Sequence, residues 1–288
     1  MNYEAEAAAC AADINGALER AVPDTTPEPL KGAMRYALLS PGKRLRPMML
    51  IKAHEMLRPA GGDVLRFATA LEMIHAYSLV HDDLPAMDND VLRRGRPTCH
   101  VAYGEGMAIL AGDGLLNLAF EAMLSSPLPG AWEAARAVAL QSGVHGMVGG
   151  QGLDLACTGK TADRATVERL QTEKTAALFI GAVEAGLFLA GADDGQREAG
   201  RDFARGFGRA FQIIDDILDI EGDAQQLGKS TGKDETEGKL TWPATVGMDQ
   251  ARADARQWTA FAVDALAPFG DRAAFLRETA ERALRRIS

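Results

Sequence analysis

Four aspartates crowd into nine residues at the end of an apolar run: Leu71 to Gly95 reads LEMIHAYSLVHDDLPAMDNDVLRRG and carries Asp82, Asp83, Asp88 and Asp90. The run before them has helical spacing, so the first carboxylates fall at a helix C-terminus, where the helix dipole opposes negative charge. Like charges this close repel, and buried carboxylates without partners are costly, so the fold must supply cations or water. A divalent metal is the obvious candidate; a solvated acidic loop is the plain alternative for one such cluster standing alone. A second cluster decides between them. FQIIDDILDIEGD places Asp215, Asp216 and Asp219 near the end of another apolar helical run. Asp215 and Asp219 are four apart and share a helix face, with Gln212 one turn earlier on the same side. Two acidic helix ends in one chain point to a shared pocket. A straight helix would send Asp82 and Asp88 to different sides, but Pro85 between them lets the chain turn and bring Asp88 back.

Periodicity is helical almost throughout, with alanine, leucine and methionine in place of alternating β-branched runs, which predicts an all-α fold in a single domain, 1–288. Helices are expected from Tyr3 to Val22, then from the PDTTPEP break through Leu39, and again after the turn SPGKRLRP. Gly61 and Gly62 break the chain, Asp63 serves as N-cap, and a long helix runs from Val64 to Asp83. Beyond a polar loop, helices are expected over Gly104 to Ser125 and Trp132 to His145. The Gly-rich passage MVGGQGLDL reads as a break before a helix from Asp163, and helical pattern resumes from Thr175 to Ala190. A helix from Asp194 towards Ile220, a loop beginning at Gly222 and two closing helices between Trp242 and Ile287 complete the chain.

Net charge is −9, which argues against a chain built to coat nucleic acid or an anionic membrane; an anionic substrate would need bound cations to mediate. The three cysteines, Cys10, Cys99 and Cys157, are scattered and odd in number, so they read as reduced thiols of a cytoplasmic protein. No export signal is legible at the N-terminus. The most apolar window, Thr175 to Ala190, is interrupted by Glu184 and shorter than the ~20 residues a membrane span needs, so it reads as a core helix and no membrane span is expected.

Magnesium suits the expected pocket: it takes oxygen ligands, accepts one or two carboxylates per ion, and fills its other positions with water and phosphate oxygens. A phosphorylated substrate follows from that choice. Cations to meet it are present at Lys43, Arg44 and Arg46, at Arg93 and Arg94, and at Lys174, Lys229 and Lys239. His75 lies seven residues before Asp82 and projects from the same face two turns away. His81 and His100 lack such alignment and read as structural. The histidines and cysteines show no zinc-ligand spacing.

These residues, taken in order, resemble the trans-isoprenyl diphosphate synthases, most closely the bacterial-type farnesyl diphosphate synthases and their geranylgeranyl-forming relatives. The resemblance spans about residues 27 to 247 through GKRLRP, HAYSLVHDDLPAMDNDVLRRGRPTCH, GDGLL, GGQGLDL, the Lys174–Thr175 pair, FQIIDDILD, LGKSTGKD and WPA. It implies a bundle of about ten or more helices around a central active-site cavity, of the isoprenoid synthase type, working as a homodimer. It further implies that Asp82, Asp88 and Asp215 hold magnesium on an allylic diphosphate, with Asp83, Asp216 and Asp219 supporting the metals or their waters. Arg93, Lys174, Lys229 and Lys239 would grip that diphosphate. Lys43, Arg46, His75 and Arg94 would bind isopentenyl diphosphate, and Thr175 and Gln212 would line the position where positive charge develops. Asn89 and Val91 depart from the acidic and mixed residues many relatives carry, and the ALRRIS terminus lacks a longer basic tail, so no tail residue is carried over as a ligand, although Arg285 or Arg286 could still approach a phosphate.

The implied chemistry is ionisation of the allylic diphosphate, attack by the isopentenyl double bond on the allylic cation, and loss of a proton. The loop from Gly222 to Gly238 would close as a lid. Product length would depend on Tyr77 and Ser78, five and four residues before Asp82; in the family a bulky aromatic at the Tyr77 position looks like a floor that stops growth at fifteen carbons. Farnesyl diphosphate is the expected product, with geranylgeranyl diphosphate as the alternative. A terpene cyclase also ionises a prenyl diphosphate but has no need of a second diphosphate site, so GKRLRP with His75 and Arg94 counts against it. A noncatalytic scaffold has no use for carboxylates that oppose helix dipoles.

Overall fold

The computed structural model describes residues 2–221 and 239–287, and nearly all of them are helical. The proposed lid and Lys229 lie outside the described residues. In chain order the helices are α1 (Tyr3–Glu19), α2 (Leu30–Leu38), α3 (Leu45–Glu55), α4 (Gly62–Asp82), α5 (Cys99–Tyr103), α6 (Glu105–Leu124), α7 (Ala131–Ser142) and α8 (Met147–Cys157). They continue with α9 (Arg164–Leu170), α10 (Ala177–Ala190), α11 (Asp194–Glu221), α12 (Trp242–Val246), α13 (Met248–Ala265) and α14 (Ala274–Leu284).

The bundle is organised around α10. Its sequence ALFIGAVEAGLFLA is apolar on every side, and every residue but Phe188 is buried, as expected of a helix surrounded by others. Helices α3, α7 and α11 pack directly on it, while α4 lies against α3 and α6, and α11 against α13. The one charge in α10, Glu184, is buried and held by the Arg201 guanidinium, with Nε 2.7 Å from the carboxylate. A second, smaller core gathers Val167, Ile213, Ile214, Ile217 and Trp242 beneath the second aspartate cluster.

The expected helices are present, with informative differences at their edges, except that the two expected between Trp242 and Ile287 are three, α12, α13 and α14. α1 stops at Glu19 rather than Val22, and α4 begins at Gly62 with Gly61 in the N-cap position. Asp63 is therefore not the cap; it sits in the first turn, 3.8 Å from Arg66. Asp163 does cap α9, accepting a hydrogen bond from the Thr166 amide at 2.8 Å. The loop after the first aspartates holds a two-stranded ribbon pairing Leu92 with Pro97 and Arg93 with Arg96. Between the strands Arg94 and Gly95 both have positive φ, 53° and 74°, as a two-residue type I′ hairpin turn demands.

Two larger differences bear on the site. The Gly-rich passage is not a break but the helix α8, because its glycines serve packing: a Cβ on Gly150 would stand 2.7 Å from the Cα of Lys174. And α9 runs into α10 without interruption through a single π-helical segment, Gln171–Ala176. Such insertions widen one turn of a helix and are found mostly at functional sites; this one carries Lys174 and Thr175. A 3₁₀ segment, Ala267–Ala273, separates the closing helices, and a last 3₁₀ turn, Arg285–Ile287, ends the described chain.

Candidate active site

The first aspartate motif closes on itself. Asp82 ends α4, and after Pro85 the Asp88 amide donates to the Asp82 carbonyl at 2.9 Å, while the Asn89 amide donates to Leu84 at 3.0 Å. Asn89 accounts for its own departure from an acidic residue: its φ is 52°, a left-handed conformation that asparagine tolerates better than most side chains. Burial pushes the Asp82 carboxyl up to about 6, with Lys174 opposing and Asp88 adding to the rise. Among the described residues Asp82 makes no side-chain hydrogen bond or ion pair. Asp88 lies 3.3 Å from the Lys239 ammonium.

Asp83 points elsewhere. Successive helix positions differ by about 100°, so adjacent aspartates cannot share a direction. Its buried carboxylate takes both Nε (2.7 Å) and Nη2 (2.6 Å) of Arg93, which also stands 3.7 Å from Asp90. Asp83 and Arg93 are thus placed as a pair.

GKRLRP divides its cations in the same way. Arg44, at φ 50° before α3, turns inward and is held by Glu72 (2.7 Å), Asn15 (2.9 Å) and the Ser40 carbonyl (2.8 Å). It is a buried structural ion pair, not one of the cations expected at a phosphate. Arg46 lies over the Phe179 ring at 4.4 Å and 3.5 Å from His75 Nε2, and its buried Nε has no hydrogen-bond partner among the described residues. Burial brings the Arg46 guanidinium down to about 10. Burial, then Arg46 and Arg94, holds His75 well below the usual imidazole range, so it is neutral near pH 7. Lys43 is lowered by burial and by Arg286. Arg94, with its guanidinium on the Pro41 carbonyl, completes the group. Cations collected without matching carboxylates, one with an orphaned buried N–H, form a site for an anion.

On the opposite side, Asp216 is fully engaged: Gln171 donates at 2.9 Å, Gln212 at 2.7 Å and the Trp242 amide at 2.8 Å. That fixes Gln212, whose Oε1 accepts from the Thr175 hydroxyl at 2.6 Å. Asp219 is buried beside it. Asp215 is half-buried and bonded to Arg286 at 3.0 Å, so the C-terminal turn, from which Arg285 or Arg286 could approach a phosphate, reaches the site through Arg286. Arg285 instead pairs with Glu278 at 2.5 Å. One residue escaped sequence reasoning altogether: buried Asp154 in α8 holds the Lys174 ammonium. Its signal was an acid inside GGQGLDL, a segment read as loop.

The two halves border one polar space. Asp82 senses the charge of Lys174, and Lys43 and Arg46 both sense Asp215. The donors on offer for a metal are carboxylate oxygens, the ligand type that magnesium takes, with water and phosphate oxygens filling the rest of its shell. Below Asp82, Tyr77 is 6% exposed and meets His81 edge to face at 5.7 Å, while the Ser78 hydroxyl bonds the His75 carbonyl at 2.9 Å.

The chain is similar to known prenyl diphosphate synthases. The polyprenyl synthetase family profile matches residues 27–265. The farnesyl diphosphate synthase of Escherichia coli (strain K12) is 43% identical over 265 residues, covering 89% of this chain and 88% of that protein. Geranylgeranyl pyrophosphate synthase 9 of Arabidopsis thaliana, chloroplastic, is 44% identical over 250 residues, or 84% of this chain and 69% of that one. Among solved structures, an FPP/GFPP synthase from Zymomonas mobilis in its apo form superposes with a TM-score of 0.86 at 36% identity, over 98% of this chain and 99% of the other.

Proposed function

This chain belongs to the polyprenyl synthetase family, as a trans-prenyltransferase, and we propose that it condenses isopentenyl diphosphate with dimethylallyl or geranyl diphosphate to give farnesyl diphosphate and pyrophosphate. The observation that carries the reading is the pairing of a cation group (Lys43, Arg46, Arg94) beside neutral His75 with two carboxylate clusters (Asp82 and Asp88; Asp215, Asp216 and Asp219) across one space. Ionising a single diphosphate would not require the first; joining two does.

Asp82, Asp88 and Asp215 would hold magnesium, with Asp216 and Asp219 behind them; Asp83 would act by fixing Arg93. Bound magnesium supplies Lewis-acid neutralisation of the leaving diphosphate. Lys174, held in place by Asp154, and Lys239, beside Asp88, add fixed positive charge where the carbon–oxygen bond breaks, as Arg93 does from its seat on Asp83. Lys229 is proposed for the same task. The Thr175 and Gln212 oxygens, their orientation set by Asp216, are dipoles aimed at the developing allylic cation. Phe179, Phe207 and Phe211, within 5.8 Å of one another by ring centroid, wall the site against water. Arg46, Lys43, Arg94 and neutral His75 hold isopentenyl diphosphate so that its double bond attacks the cation, and a proton then leaves carbon for an oxygen of the released pyrophosphate.

Tyr77, with Ser78 beside it, is proposed as the floor of the growing chain's pocket. Sizing the products formed from labelled isopentenyl diphosphate and geranyl diphosphate with Mg²⁺ tests the assignment. Fifteen carbons are expected; mainly twenty would replace farnesyl by geranylgeranyl diphosphate, for which relatives of equal similarity speak.

A homodimer is also proposed. α6 is long and apolar enough to cross a membrane by length and composition, yet a third of that stretch is buried inward against its neighbours. Its Ile109 and Leu110 are exposed, and so are Trp132 (65%), Val144 (72%) and Val148 in and after α7, apolar side chains that a second copy would cover. Light scattering should give twice the chain mass, and Leu110→Lys should shift it to the monomer.

A further inference from the structure

We infer that His81, lodged on Gly112, is a positioning residue that sets product length by bracing the Tyr77 ring. The inference rests on the reading of Tyr77 as the pocket floor and adds what holds that floor in place. Tyr77 has no hydrogen bond among the described residues, so packing alone fixes its ring, and the face it meets at 5.7 Å, at an interplanar angle of 81°, is the imidazole of His81 one turn later in α4.

His81 is anchored to a different helix. Its Nε2 lies 3.1 Å from the Ile109 carbonyl in α6 and 3.9 Å from the Asp113 carboxylate. Both neighbours are acceptors, so Nε2 carries the proton and donates. The Nε2 side of the imidazole faces Gly112: a Cβ there would overlap Nε2 and stand 2.5 Å from Cδ2 and 2.9 Å from Cε1. Gly112 is helical, so no turn or positive φ calls for glycine at this position. What calls for it is the ring. The chain of contacts runs from the α6 backbone through His81 to Tyr77, and it joins the pocket floor to a neighbouring helix rather than leaving it to a rotamer choice within α4.

Histidine 81 is adjacent to Asp82 in sequence but serves neither the metal nor a diphosphate in this account. Removing the imidazole leaves Tyr77 free to swing into the space above Gly112 and deepens the pocket. Products of labelled isopentenyl diphosphate and geranyl diphosphate are sized for wild type, His81→Ala, His81→Gln and Tyr77→Ala, and melting temperatures are recorded for each. The quantity read is the share of product one five-carbon unit longer than the wild type's main product, relative to total product. His81→Ala should raise it at least tenfold, in the direction of Tyr77→Ala. His81→Gln should keep the wild-type share, because the glutamine amide nitrogen can take the place of Nε2 on the Ile109 carbonyl. In the His81→Ala background, adding Gly112→Ala should return the share towards wild type by refilling the vacated space. A wild-type share in His81→Ala beside a shifted Tyr77→Ala overturns the bracing role while leaving Tyr77 as the floor. An unshifted Tyr77→Ala overturns the floor and the brace together, with the prenyl transfer itself still standing. An equal shift in the Ala and Gln variants overturns the role of the Ile109 hydrogen bond as the anchor.

Discussion

Asp82→Asn is expected to lower turnover by about 100- to 1000-fold while raising the melting temperature of the metal-free protein. Both effects come from one carboxylate. Asparagine keeps the shape of the side chain but removes the charge offered to magnesium, and an interaction used only as the leaving group departs is lost from kcat as much as from kcat/KM. The stability gain follows from the same burial that raises the carboxyl to about 6. An acid whose folded pKa lies above its unfolded value of 3.8 binds its proton more tightly in the fold, so its ionisation weakens the fold; the penalty is fully present above pH 6 and gone below 3.8. Its size at neutral pH is on the order of 3 kcal/mol, several degrees in Tm for a chain of this length. Differential scanning calorimetry in chelator should show the variant melting above wild type at pH 7.5, with the gap closing near pH 4. A variant that melts below wild type at pH 7.5 would mean that Asp82 has a structural partner.

Arg44→Ala is the largest stability change expected. It strips Glu72, a buried carboxylate whose pKa burial has already raised, of the guanidinium 2.7 Å away, and it leaves Asn15 and the Ser40 carbonyl unpaired. Breaking a buried pair by removing one partner costs about 3–5 kcal/mol, which here lowers Tm by roughly 10 °C. Replacing both members by apolar residues, Arg44→Met with Glu72→Leu, should recover most of the loss. Recovery of nothing would place the Arg44 contribution in its contacts to Asn15 and Ser40 instead.

The site was legible in the sequence to the extent that its chemistry resisted a structural explanation. Asp82 announced itself because a carboxylate at a helix C-terminus opposes the helix dipole, and Asp88 and Asp215 because each belongs to a dense acidic cluster that packing does not call for. Asn89 could be flagged but not explained, since its cause is a left-handed φ that exists only once the chain turns at Pro85. Arg44 and Arg46 look alike in GKRLRP; only the turn at Arg44 sends one inward to Glu72 and leaves the other beside His75. The α8 helix was missed because glycine is a poor helix former, and the reason it is tolerated, the backbone of Lys174 against Gly150, belongs to another segment. Asp154 was lost with it. The π turn at Gln171–Ala176 has no local signature in the residues QTEKTA, yet it carries both Lys174 and Thr175.

The proposed reaction requires two diphosphates held apart, one by the cations of GKRLRP and the first motif's arginine turn, the other between the two carboxylate clusters. Steady-state kinetics of Lys43→Ala/Arg46→Ala, measured against each substrate in turn with the other saturating, test it most directly. The KM for isopentenyl diphosphate should rise at least about 100-fold, as loss of charge-assisted contacts to phosphate implies, with the KM for geranyl diphosphate changed by less than about threefold. Equal increases for both substrates would contradict separate sites and favour a single ionising pocket of the cyclase kind.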